Sequence, residues 1–224
     1  MDVRGIYLRG NEAFSAGNYP EALQLFLSIL GRDNEDENLL LKISQCYQEL
    51  DKYDEAIEFL EKLLQLNIER GNYKKGIAVC KRILTIDPED TEVIVKLANI
   101  FRKLSQYGEA SYYYRIAAQH YEYAGFMDKA IEMLQIVKEL GQEGVEDLLE
   151  IIKNEYKRGA KTKASRNIEQ IIRDLKDGSE YGLLDVALNL ALSNTPDAFL
   201  YVEDLSGLYF RTGRLVECIK LSLW

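Results

Sequence analysis

A repeat of 54 residues is the sequence feature that most limits how this chain can fold. Residues 37–90 align with residues 91–144 without a gap and with ten identities, one of which pairs Tyr53 with Tyr107. A segment of this size cannot cover its own apolar surface, so chains built in this way bury their core between neighbouring repeats. The repeat therefore predicts an array of similar elements along the chain.

The same spacing extends towards both ends of the chain. Gly17 precedes Gly71 by one repeat, and Ala164 follows Ala110 by one repeat. We therefore predict one helical-repeat domain over residues 1–224. Its repeats cover residues 1–36, 37–90, 91–144, 145–198 and 199–224, the last of them incomplete.

Apolar residues within each repeat recur at intervals of three and four positions, as at Leu39, Ile43 and Tyr47. This period is typical of an amphipathic helix, and no stretch alternates convincingly as a β-strand. The segments LDKYDE, RGNYKK and DPED contain the Gly, Asn, Asp and Pro residues that separate helices. The predicted helices cover residues 3–16, 20–31, 37–50, 53–70, 74–86, 91–104, 107–124, 127–140, 145–158, 161–176, 180–193, 197–212 and 214 onward.

Each complete repeat thus contains three predicted helices. Short turns make consecutive helices antiparallel, so an odd number of helices reverses the direction of the equivalent helix in the next repeat. We expect the same face to return to the same side of the array only after two repeats.

The residues at fixed places in the first repeat resemble the tetratricopeptide repeat family, whose units of about 34 residues contain two helices. Within residues 3–36, Gly17 precedes Tyr19, and Ala22 and Phe26 follow at the family's spacing. The resemblance implies a right-handed α-solenoid of antiparallel helix hairpins. It also implies a groove that binds a segment of another protein.

The resemblance covers nearly the whole chain but includes departures from the family pattern. Asn34 and Ile68 stand where the family's closing Pro is expected, and an additional helix follows each of the later pairs. The later matching segments are residues 37–70, 91–124, 145–178 and 199 onward. The chain therefore resembles a divergent or extended member of the family.

Charge and cysteine content limit the partners and the compartment. The formal charge of −9 opposes broad attraction to nucleic acid or to an anionic membrane. No apolar run is long enough to span a bilayer, and no export signal is visible at the start. Cys46, Cys80 and Cys218 are odd in number and far apart, which favours reduced packing thiols and a cytoplasmic location. The closing segment LVECIKLSLW resembles an interrupted helix, so the chain is a candidate fragment.

The sequence offers little for catalysis. His120 is the single histidine, and we interpret it as a helix-surface or groove residue. The cysteines lack the short spacing of a zinc site, and the glycines form no phosphate-binding loop. We therefore expect no enzyme activity, no metal and no cofactor, unless folding assembles an unusual Tyr, Lys or carboxylate site.

The segment KNEYKRGAKTKASR is the densest run of positive charge. We interpret it as a solvated turn, with contact to an acidic peptide as the alternative. Its charged residues are Lys153, Lys157, Arg158, Lys161, Lys163 and Arg166.

The resemblance to tetratricopeptide proteins implies that the first helix of each pair lines the groove. Tyr7 stands where a lysine is needed to hold a partner's C-terminal carboxylate, so we do not predict that mode of binding. Exposed tyrosines are common anchors in protein interfaces. The residues that we expect to contact a partner are Tyr7, Asn11, Gln45, Asn99, Arg102, Tyr112, Tyr123, Lys153, Tyr156 and Lys157.

Two functions remain open from the sequence. The resemblance favours a non-catalytic scaffold that binds a peptide, a helix or a subunit of another protein. The alternative is a structural spacer in a larger protein whose activity lies elsewhere. Self-association through the terminal helices, with Cys218, Ile219 and Leu221, is a further expectation.

Overall fold

The computed structural model describes residues 3–30, 36–142, 144–176, 180–195, 200–214, 216–217 and 221. These residues form twelve α-helices and no β-strand. The helices are α1 (Val3–Ser15), α2 (Tyr19–Leu30), α3 (Glu37–Glu49), α4 (Tyr53–Glu69), α5 (Tyr73–Ile86), α6 (Thr91–Lys103), α7 (Tyr107–Tyr123), α8 (Met127–Glu139), α9 (Val145–Lys157), α10 (Lys161–Lys176), α11 (Tyr181–Asn194) and α12 (Leu200–Arg211). The predicted all-α fold is confirmed. A thirteenth helix, predicted from residue 214 onward, lies largely outside the described residues.

Equivalent helices of the repeat begin with the same capping residue. Asp36 accepts hydrogen bonds at Oδ1 from the backbone N–H groups of Asn38 at 2.9 Å and Leu39 at 3.1 Å. Asp90, one repeat later, accepts one from the backbone N–H of Val93 at 3.0 Å. These carboxylates satisfy helix N–H groups that have no partner within the helix.

The two Gly-Asn-Tyr segments end one helix and begin the next with the same backbone geometry. Gly17 and Gly71 have φ of 75° and 70°, which glycine adopts without the steric cost that a Cβ brings. The backbone N–H of Asn18 bonds the carbonyl of Ala13 at 2.9 Å, and that of Asn72 bonds Asn67 at 2.8 Å. The recurring segment therefore encodes a helix stop.

The chain separates into two compact units, unit 1 (Met1–Tyr113) and unit 2 (Tyr114–Trp224), with the division inside α7. In unit 1, α1 to α6 pack in sequence, each on the next. Ala56 and Ala110 are fully buried, as expected of small residues between closely packed helices. Tyr53 and Tyr107, which are equivalent in the repeat, are nearly half exposed, and the Tyr53 hydroxyl donates to Asp51 Oδ1.

Contacts between alternate helices show that unit 1 has two layers. The ammonium of Lys42 on α3 lies over the ring of Phe14 on α1, and Lys75 on α5 pairs with Glu37 on α3. These contacts place α1, α3 and α5 in one layer. Lys96 on α6 pairs with Glu61 on α4 at 2.8 Å, which places α4 and α6 in the other layer.

The equivalent helices α3 and α6 therefore lie in different layers of unit 1. Three helices separate the start of α3 from the start of α6, and an odd number of antiparallel helices places the equivalent helix in the opposite layer. The consequence for function is that α5, and not α6, lies beside α3.

Unit 2 contains the C-terminal part of α7 and the helices α8 to α12, and from α8 onward each described helix packs on the next. Its core includes Leu149, Ile168, Leu188 and Leu205. Leu221 is partly buried against this core, whereas Cys218 and Ile219, invoked for self-association, lie outside the described residues.

Cys46 and Cys80 are fully buried and form no disulfide. Burial raises the pKa of the Cys46 thiol to about 11 and that of the Cys80 thiol to about 12. Both thiols therefore stay protonated near neutral pH, as expected of packing residues, while Cys218 lies outside the described residues. None of the described helices combines the length and the apolar character that crossing a bilayer requires.

Candidate functional site

A groove on unit 1 runs between α3 and α5, with α4 forming its floor. We call it the α3–α5 groove, and its volume is about 300 Å³. The residues that line it are Glu37, Asn38, Leu41, Leu63, Asn67, Lys75, Ala78, Val79 and Arg82. Its place follows from the two-layered packing, because α3 and α5 are neighbours in one layer and α4 lies behind them.

The floor and inner walls of the groove are apolar. Leu63 on α4 and Val79 on α5 are buried, and Leu41 on α3 is half-buried. Ala78 is exposed at the edge, and its small side chain leaves the groove open. A surface of this kind accepts an apolar side chain of a partner, because apolar area is then removed from water.

Polar contacts tie α3 to α5 near both ends of the groove. Glu37 accepts hydrogen bonds from Lys75 Nζ at 2.6 Å and Arg70 Nη1 at 3.3 Å, and the bond from Lys75 is the main cause that lowers the pKa of Glu37. At the other end, Arg82 donates to Gln48 Oε1 from Nη2 at 2.8 Å and from Nε at 3.3 Å. These contacts fix the width of the groove.

Lys75 and Arg82 are the two cations among the residues that line the groove. Lys75 pairs with the carboxylate of Glu37. Arg82 donates to the amide oxygen of Gln48, which is neutral, and pairs with no carboxylate of the described residues. The Arg82 end of the groove therefore carries a positive charge, in a chain whose formal charge is −9.

Asn67 on α4 is a buried polar residue at the floor of the groove. Its side chain is 1% exposed, and its Nδ2 donates to the backbone carbonyl of Leu63 at 2.8 Å. Its Oδ1 accepts no hydrogen bond within the described part of the chain. A buried acceptor without a donor costs free energy, so Asn67 is a residue that the fold alone does not explain.

A second concave surface, of about 580 Å³, lies on unit 2 between α7, α8 and α9 and is mostly polar. Arg115 donates to both carboxylate oxygens of Asp147, at 2.8 and 2.9 Å. Glu122 lies 2.8 Å from Lys153 Nζ and 2.5 Å from Lys157 Nζ. The charged groups on this surface are thus largely paired with one another.

The carboxyl groups of Glu122 and Glu150 shift each other's pKa in opposite directions at this surface. The hydrogen bond from Glu150, followed by those from Lys153 and Lys157, lowers the pKa of Glu122 to about 2, although burial opposes the change. Burial and the neighbouring Glu122 raise the pKa of Glu150. Glu122 therefore remains ionised while Glu150 keeps its proton to higher pH than an ordinary glutamate.

Replacing Glu122 by glutamine is expected to lower the free energy of unfolding near pH 6 by about 1 kcal/mol, because Lys157 loses its carboxylate and Lys153 keeps only that of Glu150. Because the pKa of Glu122 is lower in the folded chain than in the unfolded chain, ionised Glu122 stabilises the fold above about pH 4.5. This contribution is lost as the pH falls towards 2. The difference between wild type and Glu122→Gln in urea unfolding should shrink at pH 3. A difference of equal size at pH 3 and pH 6 would contradict the contribution of this carboxylate.

The basic run predicted as either a solvated turn or an acidic-peptide contact is paired within the chain at most of its positions. Lys153 and Lys157 bind Glu122, Arg158 lies 2.6 Å from Asp128, and Lys163 lies 2.6 Å from Glu155. The positive charges are thus engaged by carboxylates of unit 2. This pairing disfavours the acidic-peptide alternative.

The predicted contact residues do not come together as one surface. Tyr7, Asn11 and Gln45 are half-buried on α1 and α3, and the ring of Tyr7 packs on Phe26 with centroids 5.8 Å apart. None of the three lines the α3–α5 groove.

Asn99 and Arg102 lie on α6, in the other layer from α3, because α5 is the helix beside α3 in unit 1. Asn99 and Arg102 therefore lie apart from the α3–α5 groove, and their contact with a partner stays a prediction. Tyr112 is exposed in unit 1, with its ring against Tyr113, and Tyr123 is 98% exposed in unit 2.

Among the predicted contact residues, Tyr156 differs most from its predicted exposure. It was expected to face a bound segment, but its side chain is 7% exposed and belongs to the core of unit 2. Its hydroxyl lies 3.2 Å from Ser165 Oγ on α10. Lys153 is half-buried and Lys157 is exposed on the same helix, both against Glu122.

None of the residues that line the groove is among the contact residues predicted from the sequence. Val79 and Arg82 lie on α5, the helix that the two-helix family pattern does not include. Asn67 gives a sequence signal, since it interrupts the apolar stripe of Leu60, Leu63 and Leu64 with an amide. No group of three metal-ligating side chains occurs in the described ranges, and His120 is half-buried on α7.

The tetratricopeptide repeat family model matches residues 13–67. This segment runs from α1 to Asn67 on α4 and includes two of the three helices that form the groove. The predicted resemblance is thereby confirmed for this part of the chain. No curated protein matches the chain.

Solved structures with similar folds include the TPR2AB domain of yeast Sti1 in its complex with pHSP90, at 13% identity over 99% of this chain and 96% of that chain, with a TM-score of 0.42. A tetratricopeptide repeat protein from Parabacteroides merdae matches at 15% identity over 99% of both chains, with a TM-score of 0.33. The apo quorum sensor NprR from B. thuringiensis matches at 17% identity over 96% of this chain and 67% of that chain, with a TM-score of 0.46.

Proposed function

We propose that this chain is a non-catalytic interaction module that holds a segment of another protein in the α3–α5 groove. The single observation that carries the proposal is an open groove with an apolar floor, partly within the segment that matches the tetratricopeptide repeat family. Pockets that combine apolar walls with a few polar groups are common binding sites. The partner is a protein, in agreement with what the sequence resemblance implies.

The alternative surfaces on the described residues support binding less well. The surface on unit 2 is occupied by pairs such as Arg115 with Asp147, whose separation would leave charges without partners. The exposed Tyr112 belongs to unit 1 and the exposed Tyr123 to unit 2, and neither lines the α3–α5 groove. The α3–α5 groove instead offers apolar area and a polar group without a partner.

Filling the groove is expected to abolish partner binding. Ala78→Trp places a large side chain at the exposed edge of the groove, and Lys81→Trp places the same side chain on an exposed position of α5 that does not line it. Each variant is used as bait for affinity capture from a native lysate, with quantitative mass spectrometry. We expect one dominant protein, reduced at least about 10-fold with Ala78→Trp and retained with Lys81→Trp.

Two further baits separate the groove from the surfaces predicted from sequence. Tyr112→Ala and Lys157→Glu should leave capture unchanged, because neither residue lines the groove. Equal loss with both tryptophan variants, or loss with Tyr112→Ala or Lys157→Glu alone, would contradict binding in the groove. Capture of no specific protein by the wild-type chain would favour the structural spacer.

A further inference from the structure

Resting on the proposed function, we propose that the α3–α5 groove takes an internal, extended segment of the partner, in which a large apolar residue is followed closely by an acidic side chain. The apolar residue occupies the floor between Leu41 and Val79, and the acidic side chain pairs with Arg82. Both contacts satisfy a property of the groove that the folded chain leaves open.

The first property is the apolar floor. Leu41, Leu63, Ala78 and Val79 contribute apolar surface from three helices to a space of about 300 Å³. That volume holds one large side chain together with adjacent backbone, and it is too small for the face of a whole helix, which presents several side chains over successive turns. The floor therefore favours an extended segment with a single anchor.

The second property is the positive charge of Arg82. Its guanidinium has donors in addition to the two that bond Gln48, and the recorded contacts supply no carboxylate. Arginine binds carboxylates through two parallel hydrogen bonds, which makes the arrangement stronger and more specific than a bond to a neutral amide. An acidic side chain at this end of the groove is thus complementary to Arg82, whereas a basic one meets a like charge.

Selection from a phage-displayed library of random 12-residue peptides tests this specificity, because displayed peptides fused at their C-terminus offer no free carboxylate. The bait is the complete chain, with Ala78→Trp used for counter-selection. We expect enriched peptides to share a large apolar residue with Asp or Glu close behind it. Synthetic versions with an amidated C-terminus should bind as tightly as the acids.

Substitutions of Arg82 test the charged contact, with Lys81 as the control position. Arg82→Gln should weaken binding of the selected peptide by about 10-fold or more, and Arg82→Lys should restore part of it. Lys81→Gln should have no effect, because Lys81 is exposed and does not line the groove.

The outcomes distinguish this inference from the proposed function. Selected peptides that lack an acidic residue, or that bind Arg82→Gln as tightly as wild type, would overturn the inference while leaving groove binding intact. Selection of basic peptides would also overturn the inference. So would a selection in which every enriched peptide still binds the Ala78→Trp variant. Partner capture that is insensitive to Ala78→Trp would instead overturn the proposed function.

Discussion

Replacing Phe26 by alanine is expected to lower the free energy of unfolding by about 3–5 kcal/mol. The ring of Phe26 is fully buried between α1 and α2. Its Cε1 lies 2.6 Å from the point where a Cβ at Gly10 would stand, so the ring fills the space that this glycine leaves on α1. Removing the ring leaves a cavity, which the helices can close only by losing their other contacts.

Leu27→Ala is the matched control, because it removes an apolar side chain from the adjacent position of α2 that is 36% exposed. The expected loss there is below about 1.5 kcal/mol. Urea unfolding followed by circular dichroism at 222 nm gives both values. Equal losses for the two variants would contradict the role of Phe26 as the main contact between α1 and α2.

Replacing Lys163 by methionine is expected to lower the free energy of unfolding by about 1–2 kcal/mol, because it leaves a buried carboxylate without its nearest cation, while the exposure of Lys163 to water weakens the pair. Glu155 is 0% exposed, and Lys163 Nζ lies 2.6 Å from its Oε1. The guanidinium of Arg158 is more distant, at 3.9 Å, and Asn167 donates to Oε2 at 3.4 Å. These remaining contacts reduce the loss but do not replace the ammonium.

The double variant Glu155→Met with Lys163→Met tests whether Lys163 stabilises the fold through its ion pair with Glu155. It should recover most of the stability lost in Lys163→Met, since replacing both partners by apolar groups removes the unpaired charge. Lys161→Met, on the exposed first turn of the same helix, should change stability by less than about 0.5 kcal/mol. A double variant as unstable as the single one would show that Lys163 acts through packing and not through Glu155.

Helix positions were predictable from sequence because local signals determine them. Apolar residues at helical spacing, the capping residues Asp36 and Asp90, and the glycines in Gly-Asn-Tyr act within a few residues of their own position. The observed helix ends lie within three residues of the predicted ones. The burial of Ala56 and Ala110 follows from the same pattern, because only small residues allow close approach there.

The groove was not predictable to the same degree because it depends on which helices become neighbours. The family pattern pairs two helices, whereas each repeat here has three, so α5 lies beside α3 where the pattern implies α6. Asn99 and Arg102 are thereby separated from Gln45, and Val79 and Arg82 take their place. The predicted contact residues followed the two-helix family pattern, although the odd number of helices in each repeat already indicated that equivalent helices alternate in direction.

Burial of individual side chains is the other limit of sequence reasoning. Tyr156 and Lys157 are adjacent in sequence on α9, yet the former is in the core of unit 2 and the latter is exposed. A tyrosine is compatible with both environments, because its ring is apolar and its hydroxyl is polar. The neighbours that decide between them, such as Ser165, come from a different helix.

Site-specific photo-crosslinking tests most directly whether the partner occupies the α3–α5 groove. The photoreactive amino acid benzoylphenylalanine is introduced in place of Asn38, which is exposed and lines the groove, or in place of Lys81, which is exposed and does not. With the captured partner, we predict a crosslink from position 38 and none from position 81. A crosslink from position 81 would contradict binding in this groove. Crosslinks from the positions of Tyr112, Tyr123 or Lys157, without one from position 38, would contradict it as well.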